Sequence, residues 1–329
     1  MSQAYPQVFP DVMPTPRPVL IAGPTASGKS ALALALAERL GGTVINADSM
    51  QVYRELRLIT ARPSAEDEAR APHALYGCVS GADAYSAGRY AVDAARAIAE
   101  AQAAGRVPIV VGGTGLYFKA LLEGLSPIPA TDPGMRAYWR NEAARRPAPE
   151  LHALLRERDP EMAMRLMPTD QQRIVRALEV LDSTGRSLAA WQREPGRPVL
   201  REAETKRLLV LPEQVAHRAL IEARFDAMLA GGGLDEVRRL LEAGLSSELP
   251  VMRALGVAPL AAHLRGLRSL EDAAATAKSD TRKYAKRQLT WLRRNMITWK
   301  RIESQYLESL LRHDVSLILR GVDRVGPAR

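Results

Sequence analysis

Short apolar runs alternate with longer amphipathic segments along most of the chain. The runs of strand length are residues 19–22, 43–47, 75–79, 107–111 and 208–211. The segments with helical spacing between and after them are residues 31–40, 86–104, 216–230 and 234–243, and the chain beyond residue 213 is predicted to be helical. Strands that alternate with helices predict an α/β fold, in which a parallel sheet is flanked by helices.

One segment interrupts this alternation. From about Ser126, three prolines lead into a charged, mostly helical stretch that ends near residue 203. We predict that it is a helical domain inserted in the α/β core; the alternative is that its helices simply pack on the sheet. The predicted organisation is a disordered leader (1–17), a first part of the core (18–125), the inserted domain (126–203), and the rest of the core with a basic helical C-terminal region (204–329).

A phosphate-binding loop is indicated between the first strand and the first helix. Its sequence is Gly23-Pro24-Thr25-Ala26-Ser27-Gly28-Lys29-Ser30, which matches G-x-x-x-x-G-K-[ST]. Such a loop directs backbone N–H groups and the positive end of a helix at phosphate oxygens. Lys29 would then bind the distal phosphate, and Ser30 would bind a magnesium ion. The alternative is a glycine turn without a ligand.

Asp48 follows the second strand directly. Ligands of open α/β sheets bind at the carboxyl ends of the strands, so Asp48 should lie beside the phosphate loop. It could serve as a catalytic carboxylate or as the N-cap of a helical segment at residues 50–54. Spacing alone does not decide between these roles.

The strand at 107–111 is followed by Gly112-Gly113-Thr114-Gly115. P-loop ATPases and GTPases commonly place an acidic residue at such a strand end, where it serves magnesium and hydrolysis. Its absence disfavours a motor or switch NTPase. A transferase that binds a diphosphate or triphosphate is favoured instead.

Composition narrows the class and the location. The chain has 329 residues, of which 47% are hydrophobic, so it can bury a large core. No apolar run reaches the ~18 residues of a membrane span, and the proline-rich N-terminus is unlike a signal peptide, so we expect a cytoplasmic protein without a membrane partner. The single cysteine, Cys78, excludes an internal disulfide and a cysteine metal cluster.

The formal net charge of +9 favours a polyanionic partner, although a basic surface without one is the simpler alternative. Between Lys278 and Arg301, basic residues outnumber acidic ones nine to one and are interleaved with Tyr284, Trp291 and Trp299. Phosphate contact and base stacking require cations and aromatic rings. This segment therefore favours RNA binding over an ordinary solvated helix face.

Nine segments, in order, resemble those of the tRNA dimethylallyltransferases, also called tRNA isopentenyltransferases. The segments are GPTASGKS (23–30), NADSMQVYR (46–54), PH (72–73), YSAGRY (85–90), PIVVGGTGLYFKALLEGL (108–125), TDQQRIVRALEV (169–180), RFDAML (224–229), MRALGV (252–257) and TRKYAKRQLTWLR (281–293). The resemblance covers roughly residues 17–301.

The resemblance implies transfer of a dimethylallyl group from dimethylallyl diphosphate to N6 of the adenine beside the anticodon of tRNA. Mg²⁺ would be the cofactor and diphosphate the released product. The phosphate loop would then bind a prenyl diphosphate rather than ATP, and the inserted domain would grip the anticodon stem. We expect the protein to be a monomer.

Residue roles also follow from the resemblance, by position. Asp48 is implied as the general base, and Lys29 and Arg224 as residues that act on the diphosphate. The implied diphosphate site is Gly23, Pro24, Thr25, Ala26, Ser27, Gly28, Lys29 and Ser30, with Ser30 also binding Mg²⁺. The implied tRNA contacts are Asp48, Ser49, Met50, Gln51, Thr114, Arg136, Gln172, Arg173, Ile174, Val175, Arg176, Met252, Arg253, Gly256, Lys286, Arg287, Gln288, Trp291 and Arg293.

The chain departs from the family pattern at four places. These are ELRLITARP (55–63) for a glycine-rich run, HALYG (73–77) for an HLID-like stretch, MPTD (167–170) for HPND, and Val257 for a tyrosine. The departures concern contacts around the substrate channel and leave Asp48 and the phosphate loop unchanged.

Two other functions fit part of the sequence. A P-loop small-molecule kinase, with Asp48 activating a substrate hydroxyl, explains residues 19–48 but not the basic C-terminal region. The other is a nucleotide-regulated RNA-binding protein without catalytic activity.

Overall fold

The computed structural model describes residues 16–307, and its central element is a six-stranded parallel sheet. The strands are β1 (Val19–Ala22), β2 (Gly42–Asn46), β3 (His73–Ala74), β4 (Val107–Gly112), β5 (Lys206–Leu211) and β6 (Lys300–Glu303). Their order is β3-β2-β4-β1-β5-β6, and all neighbours run parallel. The predicted α/β class is confirmed. Residues 1–15 of the predicted leader lie outside the described residues.

Thirteen α-helices occur among the described residues. They are α1 (Lys29–Leu40), α2 (Ala65–Arg70), α3 (Ala87–Ala103), α4 (Gly115–Leu122), α5 (Pro133–Arg145), α6 (Ala148–Arg158), α7 (Pro160–Met164), α8 (Gln171–Thr184), α9 (Leu188–Trp191), α10 (Gln214–Ala230), α11 (Gly233–Glu242), α12 (Val257–Leu264) and α13 (Leu270–Asn295). Within residues 16–307, none of them has both the length and the hydropathy that crossing a bilayer requires.

The carboxyl ends of the parallel strands meet at one edge of the sheet, where β4 lies between β1 and β2. Main-chain bonds join the segments that follow these strands. The Gly23 N–H donates to the Gly112 oxygen (3.3 Å), and the Thr114 N–H donates to the Ala47 oxygen (3.2 Å). A Cβ on Gly112 would lie 2.0 Å from the Ala47 oxygen, so this approach requires glycine. The edge thus gathers the phosphate loop, Asp48 and the turn after β4.

Two local predictions are wrong, and one alternative left open above is excluded. That alternative was a helical segment at residues 50–54, which instead form turns and an isolated β-bridge at Tyr53. No strand forms at the predicted residues 75–79. The strand of this region is β3, at residues 73–74, and it ends there because Leu75 adopts a left-handed φ of 64° that strands do not allow. Residues 300–303, predicted to be helical, form β6 beside β5. Only Ile302 of β6 is buried, so its sequence lacks the apolar run that marks the other strands.

Lys119–Val199 forms a compact unit of its own, which contains α5 to α9. The sequence places the inserted domain at 126–203, so the bounds differ by several residues at each end. The buried residues of this unit include Trp139, Leu151 and Leu178. The Trp139 indole N–H donates to the Asp182 carboxylate (2.8 Å), so the largest side chain of this core has a partner for its polar atom.

Replacing Trp139 by alanine should lower the free energy of unfolding by about 3–5 kcal/mol, because a fully buried ring is removed. Tyr138 is half exposed and meets the Trp139 ring edge-on, so Tyr138→Ala is a milder control and should lower it by at most about 1.5 kcal/mol. Urea unfolding followed by circular dichroism measures both values. Equal losses for the two variants would contradict the assignment of Trp139 to the core.

Candidate active site

The phosphate loop connects β1 to α1, as predicted. Gly28 has a φ of 83°, a left-handed conformation that favours glycine, and α1 begins at the next residue. Lys29 and Ser30 therefore lie in the first turn of α1. Free N–H groups and the helix dipole favour an anion at such a position.

Lys29 carries the positive charge of this loop. Its Nζ donates to the Pro24 carbonyl (3.1 Å). Burial lowers the pKa of Lys29 to about 8; the charge of Asp48 opposes this shift, and that of Arg224 adds to it. The Ser27 hydroxyl is buried and has no hydrogen-bond partner among the described residues. Since buried hydroxyls are normally hydrogen-bonded, this one is an unused hydrogen-bonding group inside the loop.

All the polar groups of Thr25 are bonded to helices from the second half of the chain. Its N–H donates to Gln288 Oε1 on α13 (2.9 Å). Its carbonyl accepts from His217 Nε2 on α10 (2.7 Å), and its hydroxyl accepts from the Arg224 guanidinium, also on α10. We call these three bonds the Thr25 clamp. They fix the shape of the phosphate loop.

Gln288 is a buried bridge rather than an exposed contact. Its Nε2 donates to the Gly113 carbonyl (2.9 Å), so the amide joins the phosphate loop to the turn after β4. A Cβ on Gly113 would lie 2.2 Å from that nitrogen, which explains the glycine. The resemblance implies Gln288 as a tRNA contact, but its amide is used inside the protein. The sequence did contain a signal that Gln288 is buried, because it falls on the helical stripe of small and apolar residues that includes Ala285 and Leu292.

His217 has no counterpart in the sequence-based predictions. It is buried, and burial lowers its pKa. A carbonyl oxygen only accepts hydrogen bonds, so the Nε2 that faces the Thr25 carbonyl carries a proton. The neutral form of His217 therefore suffices to donate the hydrogen bond that holds the loop.

Asp48 lies just beyond β2 in a tightly bonded turn. Its N–H donates to Asn46 Oδ1 (2.8 Å), and its Oδ1 accepts from the Met50 N–H (2.9 Å). The neighbouring Ser49 N–H donates to Thr114 Oγ1 (3.0 Å). Asp48 therefore caps a turn and not a helix. Its second oxygen, Oδ2, has no hydrogen-bond partner among residues 16–307, so it is available as an acceptor.

Asp48 lines a cavity of about 310 Å³ together with Thr25 and Arg224, two residues of the Thr25 clamp. Its polar lining includes Thr25, Asp48, Arg224 and Arg287, and Tyr284 lines it as well. The apolar lining comprises Ile59, Ile221, Phe225, Met228 and Leu255. Burial raises the pKa of Tyr284, and the charge of Asp48 adds to the shift, so the phenol stays protonated. A carboxylate, a guanidinium and an apolar pocket thus face one space.

Several other predicted residues belong to this region. Ser49, Met50 and Arg253 line the cavity. The Gln51 amide instead donates to the carbonyls of residues 60 and 61 (both 2.8 Å), so its NH₂ group stabilises that loop. Met252 is half-buried, and Gly256 is buried with a φ of 89° at the start of α12.

The basic run on α13 has two parts. Lys278, Arg282 and Lys283 pair with acidic side chains. The second part has no acidic partner within the described region; its members are Lys286, Arg287, Arg293 and Arg294. Of the aromatic residues, Trp299 is buried against Phe118, and the Trp291 ring covers Gly115. Trp299 is therefore a core residue and not a stacking platform.

The predicted tRNA contacts within residues 119–199 include both exposed and buried residues. Arg136, Gln172 and Arg173 are exposed, whereas Ile174 and Val175 are buried in the core of the unit. Arg176 donates to Thr131 and to Glu179. Ile174 and Val175 are thus packing residues by their side chains, and the tRNA contact implied at these positions stays a prediction.

The donors at the phosphate loop fit magnesium only in part. Among residues 16–307, no three His, Cys, Asp or Glu side chains are placed to hold a metal ion. The Ser30 hydroxyl is exposed at the start of α1. Mg²⁺ usually keeps several waters and is bound through one or two protein groups and substrate phosphates. The site therefore fits an ion that arrives with a diphosphate.

Comparison with known proteins gives consistent matches. The family model "IPP transferase" matches residues 51–295, and "Isopentenyl transferase" matches residues 17–75. The tRNA dimethylallyltransferase of Parvibaculum lavamentivorans is 52% identical over 93% of this chain and 96% of the relative. That of Methylobacterium nodulans is 56% identical over 84% of this chain and 91% of the relative.

Two solved structures are similar as well. The tRNA isopentenylpyrophosphate transferase of Bacillus halodurans is 29% identical, with a TM-score of 0.63 over 92% of this chain and 97% of the other. A eukaryotic dimethylallyltransferase acting on tRNA is 25% identical, with a TM-score of 0.77 over 92% of this chain and 78% of the other.

The affinity for inorganic diphosphate should fall as pH rises through 8, because the free protein then loses the Lys29 charge. Burial lowers the pKa of Lys29 to about 8, so the ammonium is present below this pH and lost above it. The loss should approach about tenfold per pH unit. Lys29→Arg keeps its charge and corrects for titration of the diphosphate itself. Calorimetric titration on both sides of pH 8 tests this, and parallel profiles for the two proteins would contradict it.

Proposed function

The chain belongs to the IPP transferase family, and from that membership we propose that it is a tRNA dimethylallyltransferase. It transfers a dimethylallyl group from dimethylallyl diphosphate to N6 of the adenine beside the anticodon in tRNA and releases diphosphate. The observation that carries this proposal is the cavity that Asp48 and Arg224 both line; Asp48 Oδ2 has no hydrogen-bond partner among residues 16–307. The donor, a monomeric state and a cytoplasmic location are parts of the proposal.

Asp48 acts as the general base. The lone pair of the adenine N6 amine is delocalised into the ring, so the amine is a poor nucleophile. Its N–H becomes acidic as the new C–N bond forms, and a carboxylate within hydrogen-bond reach removes the proton. Such general-base catalysis typically contributes about 10²–10⁴-fold. Because Met50 occupies only Oδ1, the Asp48 carboxylate keeps Oδ2 for this transfer.

The phosphate loop stabilises the leaving group. Negative charge accumulates on the diphosphate as the allylic carbon separates from it, and fixed donors at that position supply the largest catalytic contribution. The donors are the loop N–H groups, Lys29 and Arg224, and the Arg224 guanidinium is already anchored on Thr25. Ser30 is the residue that would hold Mg²⁺, which supplies further neutralisation of the diphosphate when bound.

The RNA reaches this cavity through its unpaired anticodon loop. A base must leave its stack to expose N6, and the cost is smallest in a single-stranded loop. Tyr284 and Arg287 line the cavity and offer planar groups for stacking. Lys286, Arg293 and Arg294, which have no acidic partner among residues 16–307, bind backbone phosphates.

The strands next to β1 support a transferase over a nucleotide hydrolase. β4 leads into Gly113 and Thr114. After β5 the first acidic residue is Glu213, and its carboxylate caps α10 by accepting from the N–H groups of Val215 and Ala216. Neither strand delivers a carboxylate free to serve a hydrolytic magnesium ion.

One assay separates this function from a kinase or a simple RNA-binding protein. The protein is incubated with unmodified tRNA and either labelled dimethylallyl diphosphate or γ-labelled ATP. Label in tRNA supports the proposal. Label moved from ATP to a small molecule indicates a kinase, and no transfer in either arm indicates a binding protein.

Asp48→Asn should reduce the single-turnover rate of prenyl transfer by at least about 100-fold, with both substrates saturating. Asparagine keeps an Oδ1 that accepts from the Met50 N–H, so the turn survives, but its amide cannot take the N6 proton. Binding of both substrates should remain close to wild type. A rate within about threefold of wild type would leave Asp48 with only its turn-capping role.

Alanine at Lys286, Arg287, Arg293 and Arg294 should weaken tRNA binding and lower the salt slope of log K by about 0.7–0.9 for each RNA phosphate that is no longer neutralised. Lys278→Ala and Lys283→Ala are the controls, since their charges are already paired. Filter binding across a salt series measures both quantities. If the quadruple variant and the controls behave alike, the run is an ordinary solvated face.

A further inference from the structure

A buried carboxylate holds the loop at residues 57–59. Glu236 on α11 is only 5% exposed. Its Oε1 accepts from the N–H groups of Arg57 (2.6 Å) and Leu58 (2.9 Å), and its Oε2 accepts from the Ile59 N–H (2.9 Å). No Lys, Arg or His of the described chain forms an ion pair with it. Burying a charge is costly unless hydrogen bonds compensate, so the loop and the carboxylate depend on each other.

The turn between α10 and α11 brings the loop this close. Gly232 has a φ of 98°, which favours glycine. A Cβ on Gly233 would lie 3.0 Å from Ile59 Cδ1 and 2.7 Å from the Met228 oxygen. Glycine at 233 therefore lets Ile59 pack directly against the start of α11, one turn before Glu236.

Ile59 in turn forms part of the apolar lining of the cavity. It is 6% exposed and lies in one core cluster with Phe225 and Val257. A Cβ on Gly256 would be 3.2 Å from Phe225 Cε2 and 3.7 Å from Ile59 Cγ2, so α12 closes in behind both side chains. Such close packing leaves Ile59 no room to recede while its N–H is bonded.

We propose that Glu236 is a positioning residue that fixes Ile59 as the inner wall of the prenyl pocket and so restricts the donor to a five-carbon chain. This rests on the proposed function. A ten-carbon donor must displace Ile59, and Glu236 resists that displacement through three main-chain bonds. Loosening these bonds admits the longer chain.

The test compares kcat/KM for dimethylallyl and geranyl diphosphate with one tRNA. Glu236→Gln replaces one acceptor oxygen by an NH₂ group that cannot accept, so the ratio of the two values should shift towards geranyl diphosphate by at least about tenfold. The KM for dimethylallyl diphosphate should rise more than kcat falls. Glu242→Gln, at an exposed position of the same helix, is the matched control and should leave the ratio unchanged.

Ile59→Ala should shift the ratio in the same direction as Glu236→Gln. Because Glu236 acts through Ile59, adding Glu236→Gln to Ile59→Ala should change the ratio by less than about threefold. If Glu236→Gln does not fold, Glu236→Asp, which draws the carboxylate back by one methylene, takes its place.

A folded Glu236 variant with the wild-type ratio overturns the inference. So does an unchanged ratio for Ile59→Ala, or full additivity in the double variant. A wild-type protein that transfers no dimethylallyl group contradicts the proposed function itself, which is a different outcome from these three.

Discussion

The three hydrogen bonds to Thr25 are the constraint on which the site depends. A glycine loop of this kind is flexible by itself, and its catalytic value lies in holding N–H groups where phosphate charge develops. Thr25 is bonded at its N–H, its carbonyl and its hydroxyl to residues 263, 192 and 199 positions further along the chain. The loop is therefore shaped by α10 and α13 as well as by its own sequence. Arg224 belongs both to this clamp and to the cavity, so the same contact orients the loop and a cation.

Helix α13 has two faces with different tasks. Its buried stripe comprises Ala273, Ala277, Thr281, Ala285, Gln288 and Leu292, at spacings of three and four residues. Its exposed face carries, on either side of Gln288, the cations Lys286, Arg287, Arg293 and Arg294, which pair with no acidic side chain in the described part of the chain. Because one rigid helix carries both, a partner that binds the cations is positioned relative to the phosphate loop at the same time.

Local patterns of the sequence predicted what is local in the structure. β1, β4 and β5 appear as apolar runs because their central residues are buried. The phosphate loop and Asp48 follow strands directly, so their place at the sheet edge follows from parallel pairing. β6 was not predicted because its sequence lacks an apolar run; its hydrogen bonds to β5 hold it in the sheet. The roles of His217, Gln288 and Glu236 escaped too, since each bonds main-chain groups far away in sequence, which no local pattern encodes.

The bridge made by Gln288 limits insertions and deletions within α13. An α-helix turns about 100° per residue, so one residue inserted into or deleted from α13 before Gln288 would swing its amide away from Thr25 and Gly113. The same change would move the stripe residues on one side of it off the core. Substitutions on the exposed face carry no such penalty. Insertions and deletions should therefore accumulate in the loops on either side of α13, while the stretch from Ser269 to Gln288 keeps its residue count through divergence.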